Sequence, residues 1–184
     1  MPGDFRTHTG RLVSFLDPRP EDIDIADIAH HLARTGRFGG AVDDFYSVAS
    51  HSVYVSRRLA EEGYPPYVQL AGLLHDSAEA YLGDVVSGLK RLLPQYYEIE
   101  HSWDTVLQQV FGVWWRDCPA VKDADLRARR AEARDLFAGR PYDLSHPMMY
   151  SDYEPYATRV VPETPDEAEF SFLSRAAEFG VVLP

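Results

Sequence analysis

Apolar residues recur along this chain three and four positions apart, the spacing of one face of a helix, almost from end to end. Ile25, Ile28, Ala29 and Leu32 form the first such stripe, and Gly36 is its stop signal. Ser47 is placed to cap a second helix, with Val48, Ser52, Val55 and Leu59 inward and Gly63 at its end. Pro65 and Pro66 introduce a third, whose inner face is Ala71, Leu74, Ala78 and Leu82 and whose stop is Gly83. Pro94 opens a fourth, with Ile99, Trp103, Val106 and Val110 inward. A fifth is expected from Pro119 to Phe137, ended by Gly139-Arg140-Pro141. The last starts in a capping box, Thr164-Pro165-Asp166-Glu167, and ends at Gly180. Residues 1–20 and 139–163 are rich in Pro, Gly and aromatic residues and break the period. They are expected as irregular segments, with short strands, covering a helical bundle, and the Tyr142–Tyr156 stretch as core cover. No repeat, low-complexity tract or linker interrupts the pattern. The expectation is an all-α fold with one domain over residues 1–184.

Composition narrows the function classes. Apolar residues make up 45% of the 184, ordinary for a globular chain with a sizeable core. The formal net charge of −11 argues against a general binder of nucleic acid or anionic membrane. It leaves room for a small anionic substrate held by a local cationic pocket or a metal. Cys118 is the single cysteine, so no intrachain disulfide forms and a reducing compartment is expected. The opening M-P-G-D-F-R has no basic and apolar signal region, and no apolar run reaches the ~18 residues of a membrane span. A cytoplasmic protein is the expectation.

The chemistry concentrates in His51, the adjacent pair His75-Asp76, and Asp125, each in a segment that reads as helix. Two imidazoles and two carboxylates suit one divalent metal ion. The run H-D-S-A-E-A-Y-L-G-D adds Glu79 and Asp84. On one continuous helix Glu79 would lie a turn beyond His75 on the same face, able to hold water beside the ion. Asp84 follows the Gly83 stop, where a chain reversal can aim it back. Such a set suits hydrolysis at phosphorus: a metal to polarise the phosphoryl group, and carboxyl groups to orient water and protonate a leaving oxygen. Arg34, Arg37 and Lys90 flank the motifs as candidates for phosphate binding. A lone histidine or a chance His-Asp dipeptide carries little, because most buried histidines are satisfied core residues. The ordered conjunction Y-S-V-A-S-H-S, H-D-S-A-E and V-K-D-A-D carries the case. His30, His31, His101 and His146 lack matching motifs and read as structural or surface residues.

The sequence resembles the HD-domain phosphohydrolase superfamily, and more narrowly the compact branch of phage-type dATP triphosphohydrolases and bacterial 5′-deoxynucleotidases. The resemblance rests on R-F-G-G (37–40), F-Y-S-V-A-S-H-S (45–52), L-L-H-D-S-A-E-A-Y-L-G-D (73–84), L-K (89–90) and V-K-D-A-D (121–125). It extends into E-A-R-D-L (132–136) and P-D-E-A-E-F (165–170). It implies that His51, His75, Asp76 and Asp125 hold one divalent ion per chain, with Mn, Co, Zn, Fe, Ni and Mg all open. It implies that Glu79 and Asp84 are the catalytic acidic pair, Arg37 (or Arg34, by register) and Lys90 contact phosphates, and Phe38 contacts base or sugar. The implied activity is a dNTP triphosphohydrolase preferring dATP, with a dNMP 5′-nucleotidase second and a non-catalytic nucleotide-binding regulatory module as the reading of another class. A homo-oligomer acting on a small deoxynucleotide, without nucleic-acid or membrane partners, is expected. A dinuclear phosphodiesterase lacks the further histidine that a second metal needs. One departure stands out: where relatives carry prolines after Gly-Asp, this chain reads G-D-V-V-S-G-L-K, so Val85–Gly88 is expected to form a more pliable loop.

Overall fold

The computed structural model describes residues 4–137 and 153–182. A hairpin, β1 (Asp4–Arg6) paired antiparallel with β2 (Leu12–Ser14), leads into α1 (Ile25–Arg34). Then follow α2 (Val48–Glu61), α3 (Pro66–Leu74), two single-turn helices α4 (Glu79–Leu82) and α5 (Ser87–Lys90), α6 (Pro94–Phe111), α7 (Pro119–Leu136) and α8 (Pro165–Ala177). The described residues are thus all-α apart from the hairpin and an isolated bridge between Gly36 and Ser47. The expected terminator Gly139-Arg140-Pro141 and most of the 139–163 segment, Tyr142 and His146 included, lie outside the described residues. Residues 153–163 are irregular, as expected. No helix among the described residues is long and apolar enough to cross a membrane.

The caps lie where the side chains can make them. Ser47 Oγ accepts from the Ser50 amide at 3.1 Å, and Thr164 with Glu167 closes the reciprocal box on α8. α2 packs against α1, α3, α7 and α8, so it is the central element. All four of its expected inner residues, Val48, Ser52, Val55 and Leu59, are buried, as are Ile25, Ile28, Ala29 and Leu32 of α1. α2 meets α3 closely because Gly72 has no side chain: a Cβ there would come within 2.4 Å of Leu59 Cδ1 and 3.4 Å of Val55 Cγ1.

Two expectations about the helices are corrected. The third helix does not continue to Leu82. It ends at Leu74, and the next turn is held by i to i+3 bonds, the Ser77 amide to Leu74 O at 2.9 Å and the Glu79 amide to Asp76 O at 3.0 Å. His75 and Asp76 therefore sit in a tight turn rather than inside a helix. The inner face of α6 is also rotated from the apolar stripe. Trp103 and Leu107 are buried with the polar Asp104 and Gln108, while Val110 is exposed. Asp104 and Gln108 are tolerated inside because they receive bonds from Trp115 and Arg116.

Gly72→Val should test the helix contact. Overpacking a tight core costs about 1–3 kcal/mol, and a β-branched residue at this spot has no free volume to enter. Urea denaturation should give a lower midpoint than wild type; an unchanged midpoint would show that Leu59 and Val55 yield freely.

Candidate metal centre

Four side chains from three places in the chain converge. His51 comes from the first turn of α2, His75 and Asp76 from the turn after α3, and Asp125 from the second turn of α7. Ligating atoms of His51, His75 and Asp125 lie within 4.8 Å of one another. His51 Nε2 stands 3.3 Å from His75 Nε2 and 3.1 Å from Asp125 Oδ1. Asp76 Oδ2 completes the group, 3.6 Å from His51 Nε2 and 3.3 Å from His75 Nε2.

The remaining ring nitrogens explain why both Nε2 atoms face inward. His75 Nδ1–H donates to the Gly72 carbonyl at 2.8 Å. His51 Nδ1–H donates to Glu132 Oε1 at 2.5 Å. With each Nδ1 serving as donor, the two Nε2 lone pairs point at the same small volume. Two lone pairs and two carboxylates so close repel unless a positive charge lies among them. Burial opposes charge on His75, yet Asp76 and Asp125 outweigh it and hold its pKa well above the ordinary value. Asp125 is held well below its ordinary value: burial resists ionisation, but Arg129, His51 and His75 overcome it. The group thus draws a positive charge to this point, and its donors suit a divalent ion of the first transition row.

The acidic pair expected for catalysis lies beside it. Glu79 opens α4, is buried, and its Oε2 has no hydrogen-bond partner among the described residues. Burial, then the charges of Asp76 and Asp84, push its pKa well above the carboxylate range. Asp84 follows Gly83, whose φ of 77° turns the chain out of α4. Burial raises Asp84 as well. α4 is anchored from its other side, where Tyr81 stacks on Trp103 at 4.1 Å and His31 Nδ1–H donates to the Ala80 carbonyl at 2.8 Å.

The cations divide sharply. Lys90 is at the site, its Nζ 2.5 Å from Glu100 and 3.9 Å from Glu79. Arg37 is buried and engaged, 3.4 Å from Asp76 and 3.2 Å from Glu132, so it braces the site's charges. Arg34 is not brought there. It bridges α1 to α8 through Asp166 at 2.9 Å and Glu169 at 2.5 Å, which removes it as the register alternative. Phe38, in a left-handed conformation at φ 57°, packs edge-on against Phe137 with ring centroids 5.4 Å apart. A Cβ on the neighbouring Gly39 would meet Val86 at 3.7 Å, so this turn and the 85–88 segment adjoin. That segment is not simply a loop: Ser87 and Gly88 begin α5.

A cleft of about 370 Å³ opens at the group; its lining includes His75, Asp76, Glu79, Lys90 and Asp125 as well as Glu100, Asp104, Trp115, Arg116 and Lys122. Lys122 lies one turn before Asp125 and has no ion-pair partner among the described residues. No family model matches this chain. It is 33% identical over 170 residues to the uncharacterized protein YfdR of Escherichia coli K12, with 92% of each chain covered. The chain belongs to the YfdR family. An uncharacterized protein of Rhodobacter capsulatus is 36% identical over 140 residues, 73% of this chain and 68% of that one.

The sequence reading missed Glu132. It is fully buried, accepts from the Tyr46 hydroxyl at 3.1 Å, and meets His51 and Arg37. Its signal in sequence was only its place seven residues after Asp125, two turns along α7 on the same face. Tyr46 and Arg116 were missed because their partners, Glu132 and Asp104, are distant in sequence, and Lys122 was given no role although it lies in V-K-D-A-D.

Glu132 yields a prediction with a defined sign. Burial resists its ionisation, but Arg37 and His51 bring its pKa from 4.5 down to about 2. Its charge therefore stabilises the fold above the unfolded pKa near ~4.3, and this stabilisation is lost as pH falls toward about 2. In EDTA-treated protein, Glu132→Gln should cost about 3–5 kcal/mol at neutral pH and flatten the acid limb of stability against pH. Parallel acid limbs in denaturant titrations of variant and wild type would contradict this.

Proposed function

We propose that this protein is a metal-dependent phosphohydrolase of 2′-deoxynucleotides with an HD-type centre. The favoured reaction is dNTP triphosphohydrolysis, dATP preferred, and dNMP 5′-nucleotidase is second. The observation that carries the reading is the convergence of two imidazole Nε2 atoms with Asp76 and Asp125, next to a buried carboxyl group, Glu79, whose Oε2 is unpartnered. A module that only binds nucleotides has no use for an unpaired buried carboxyl group, which is costly to keep.

His51, His75, Asp76 and Asp125 would hold the ion. A bound divalent cation supplies Lewis-acid polarisation of a phosphoryl group and lowers the pKa of water. Lys122 and Lys90 neutralise phosphate charge in the cleft, Lys90 exchanging Glu100 for a phosphoryl oxygen. Glu79, whose burial and neighbouring carboxylates favour its protonated form, would give its proton to the leaving 5′ oxygen. Asp84 orients the attacking water. Water adds to the α-phosphorus, the bond to the 5′ oxygen breaks, and deoxynucleoside and triphosphate leave. Phe38 and the adjoining 85–88 segment supply the wall toward the base.

The deciding experiment incubates all four dNTPs, their dNMPs and matching ribonucleotides with Mn²⁺, Co²⁺ or Mg²⁺, against an EDTA control, and separates products by chromatography. Triphosphate release from dATP is expected; binding without turnover under every metal would favour the regulatory module. Asp125→Ala should lose the ion, measured as metal per chain after dialysis. Glu79→Gln should keep it while turnover falls about 10²–10⁴-fold. Full metal occupancy in Asp125→Ala, or normal turnover in Glu79→Gln, would remove the assigned roles.

A further inference from the structure

One wall of the cleft, formed by Asp104, Trp115 and Arg116 and tied to Gln108, is held by its own hydrogen bonds and has no role in the chemistry above. Gln108 Oε1 accepts two backbone bonds from the turn after α6, the Trp115 amide at 3.0 Å and the Arg116 amide at 3.3 Å. Asp104 accepts from the Trp115 indole at 3.3 Å and from Arg116 Nη1 at 2.8 Å. Asp104, Gln108 and Trp115 are buried, whereas the Arg116 side chain keeps 39% of its surface. Nε and Nη2 of Arg116 have no partner among the described residues. The guanidinium is therefore fixed at one nitrogen and open at the others, on the wall of the same cleft.

Contacts give its place along that wall. Glu79 adjoins Lys90, Lys90 binds Glu100, and Glu100 precedes Asp104 by one turn of α6, about 6 Å along the axis. Asp104 holds Arg116. No ion pair joins Arg116 to Asp76, Glu79 or Asp125. Arg116 is thus linked to the metal group by way of Asp104, Glu100 and Lys90 rather than by a direct ion pair, on the wall of the same cleft.

We infer that Arg116, presented by Asp104 and Gln108, binds phosphates remote from the reacting one and selects for triphosphate over monophosphate substrates. The inference rests on the phosphohydrolase reading for its substrate, but not for the anion it recognises. A guanidinium fixed on one side loses little freedom on binding, and its open nitrogens match two phosphate oxygens.

The test uses inorganic triphosphate and orthophosphate as probes, titrated calorimetrically into Mn²⁺-loaded protein. Wild type should prefer triphosphate. Arg116→Gln should lower the ratio of the two affinities about 10–100-fold, the worth of one or two charged hydrogen bonds, and Arg116→Lys should restore part of it. The unmodified protein gives a second readout: triphosphate, but not orthophosphate, should shift the Trp115 indole N–H resonance, because that N–H and Arg116 share the Asp104 carboxylate. An unchanged ratio in Arg116→Gln, or a silent Trp115, overturns the inference. If the ratio depends on Arg116 but no deoxynucleotide is hydrolysed, the phosphohydrolase reading falls and the anion site stands. If dNMPs are hydrolysed and triphosphate is not preferred, the reverse holds.

Discussion

Much of the site hangs on the carboxylate of Glu132. A charge with no access to water survives only where it is paired and hydrogen-bonded. Glu132 meets that condition through three partners on three segments: Tyr46 before α2, His51 on α2, and Arg37 in the turn after α1. Satisfying one carboxylate therefore fixes α7 against α2 and fixes the Arg37 turn against both. It also sets the tautomer of His51 and directs Nε2 to the metal group. The backbone agrees with this placement, because the Arg37 amide donates to Tyr46 O at 2.9 Å and the Val48 amide to Thr35 O at 3.0 Å.

His75 is held by a different device, a backbone break. The turn after Leu74 tightens the chain to i+3 bonding and lets His75 Nδ1–H reach the Gly72 carbonyl. In an unbroken helix that carbonyl would be occupied by the amide four residues on. Gly72 serves twice, since its missing side chain admits Leu59 and brings α3 close to the helix that carries His51. The same close approach that packs the core sets the 3.3 Å separation of the two imidazole nitrogens.

Legibility in the sequence followed the range of the interaction. Apolar period and cap residues are local, so α1, α2, α7 and α8 could be placed from them, Ser47 and Thr164 included. His51, His75 and Asp125 could be grouped because their side-chain types leave few shared uses, and the fold does bring them together. Charge pairing is non-local, and there the reading failed. Nothing near Arg34 indicates that Asp166 and Glu169 will claim it, and nothing near Glu132 indicates three partners. On α6, Val106 and Val110 suggested one face, while burial of Trp103 with satisfied Asp104 and Gln108 selected another. A polar residue joins a core face when its partner arrives from elsewhere, which periodicity cannot register.

The paired cations also bear on how an acidic chain can handle an acidic ligand. The net charge is −11, yet the cleft carries Lys90, Arg116 and Lys122. Lys90 is held by Glu100, Arg116 by Asp104, and Arg37 deeper in by Glu132 and Asp76. Each carboxylate removes the penalty of keeping a cation poorly solvated while the cleft is empty. A phosphate entering the cleft would displace a carboxylate from Lys90 and share Arg116 with the carboxylate that already holds it, so affinity would reflect a difference between ion pairs rather than the whole of one. Such an exchange favours ligands that engage several cations at once, because a single phosphate gains little over the carboxylate it replaces. Lys122 is the exception: with no carboxylate partner among the described residues, it would offer an arriving anion its charge one turn from Asp125 without an exchange.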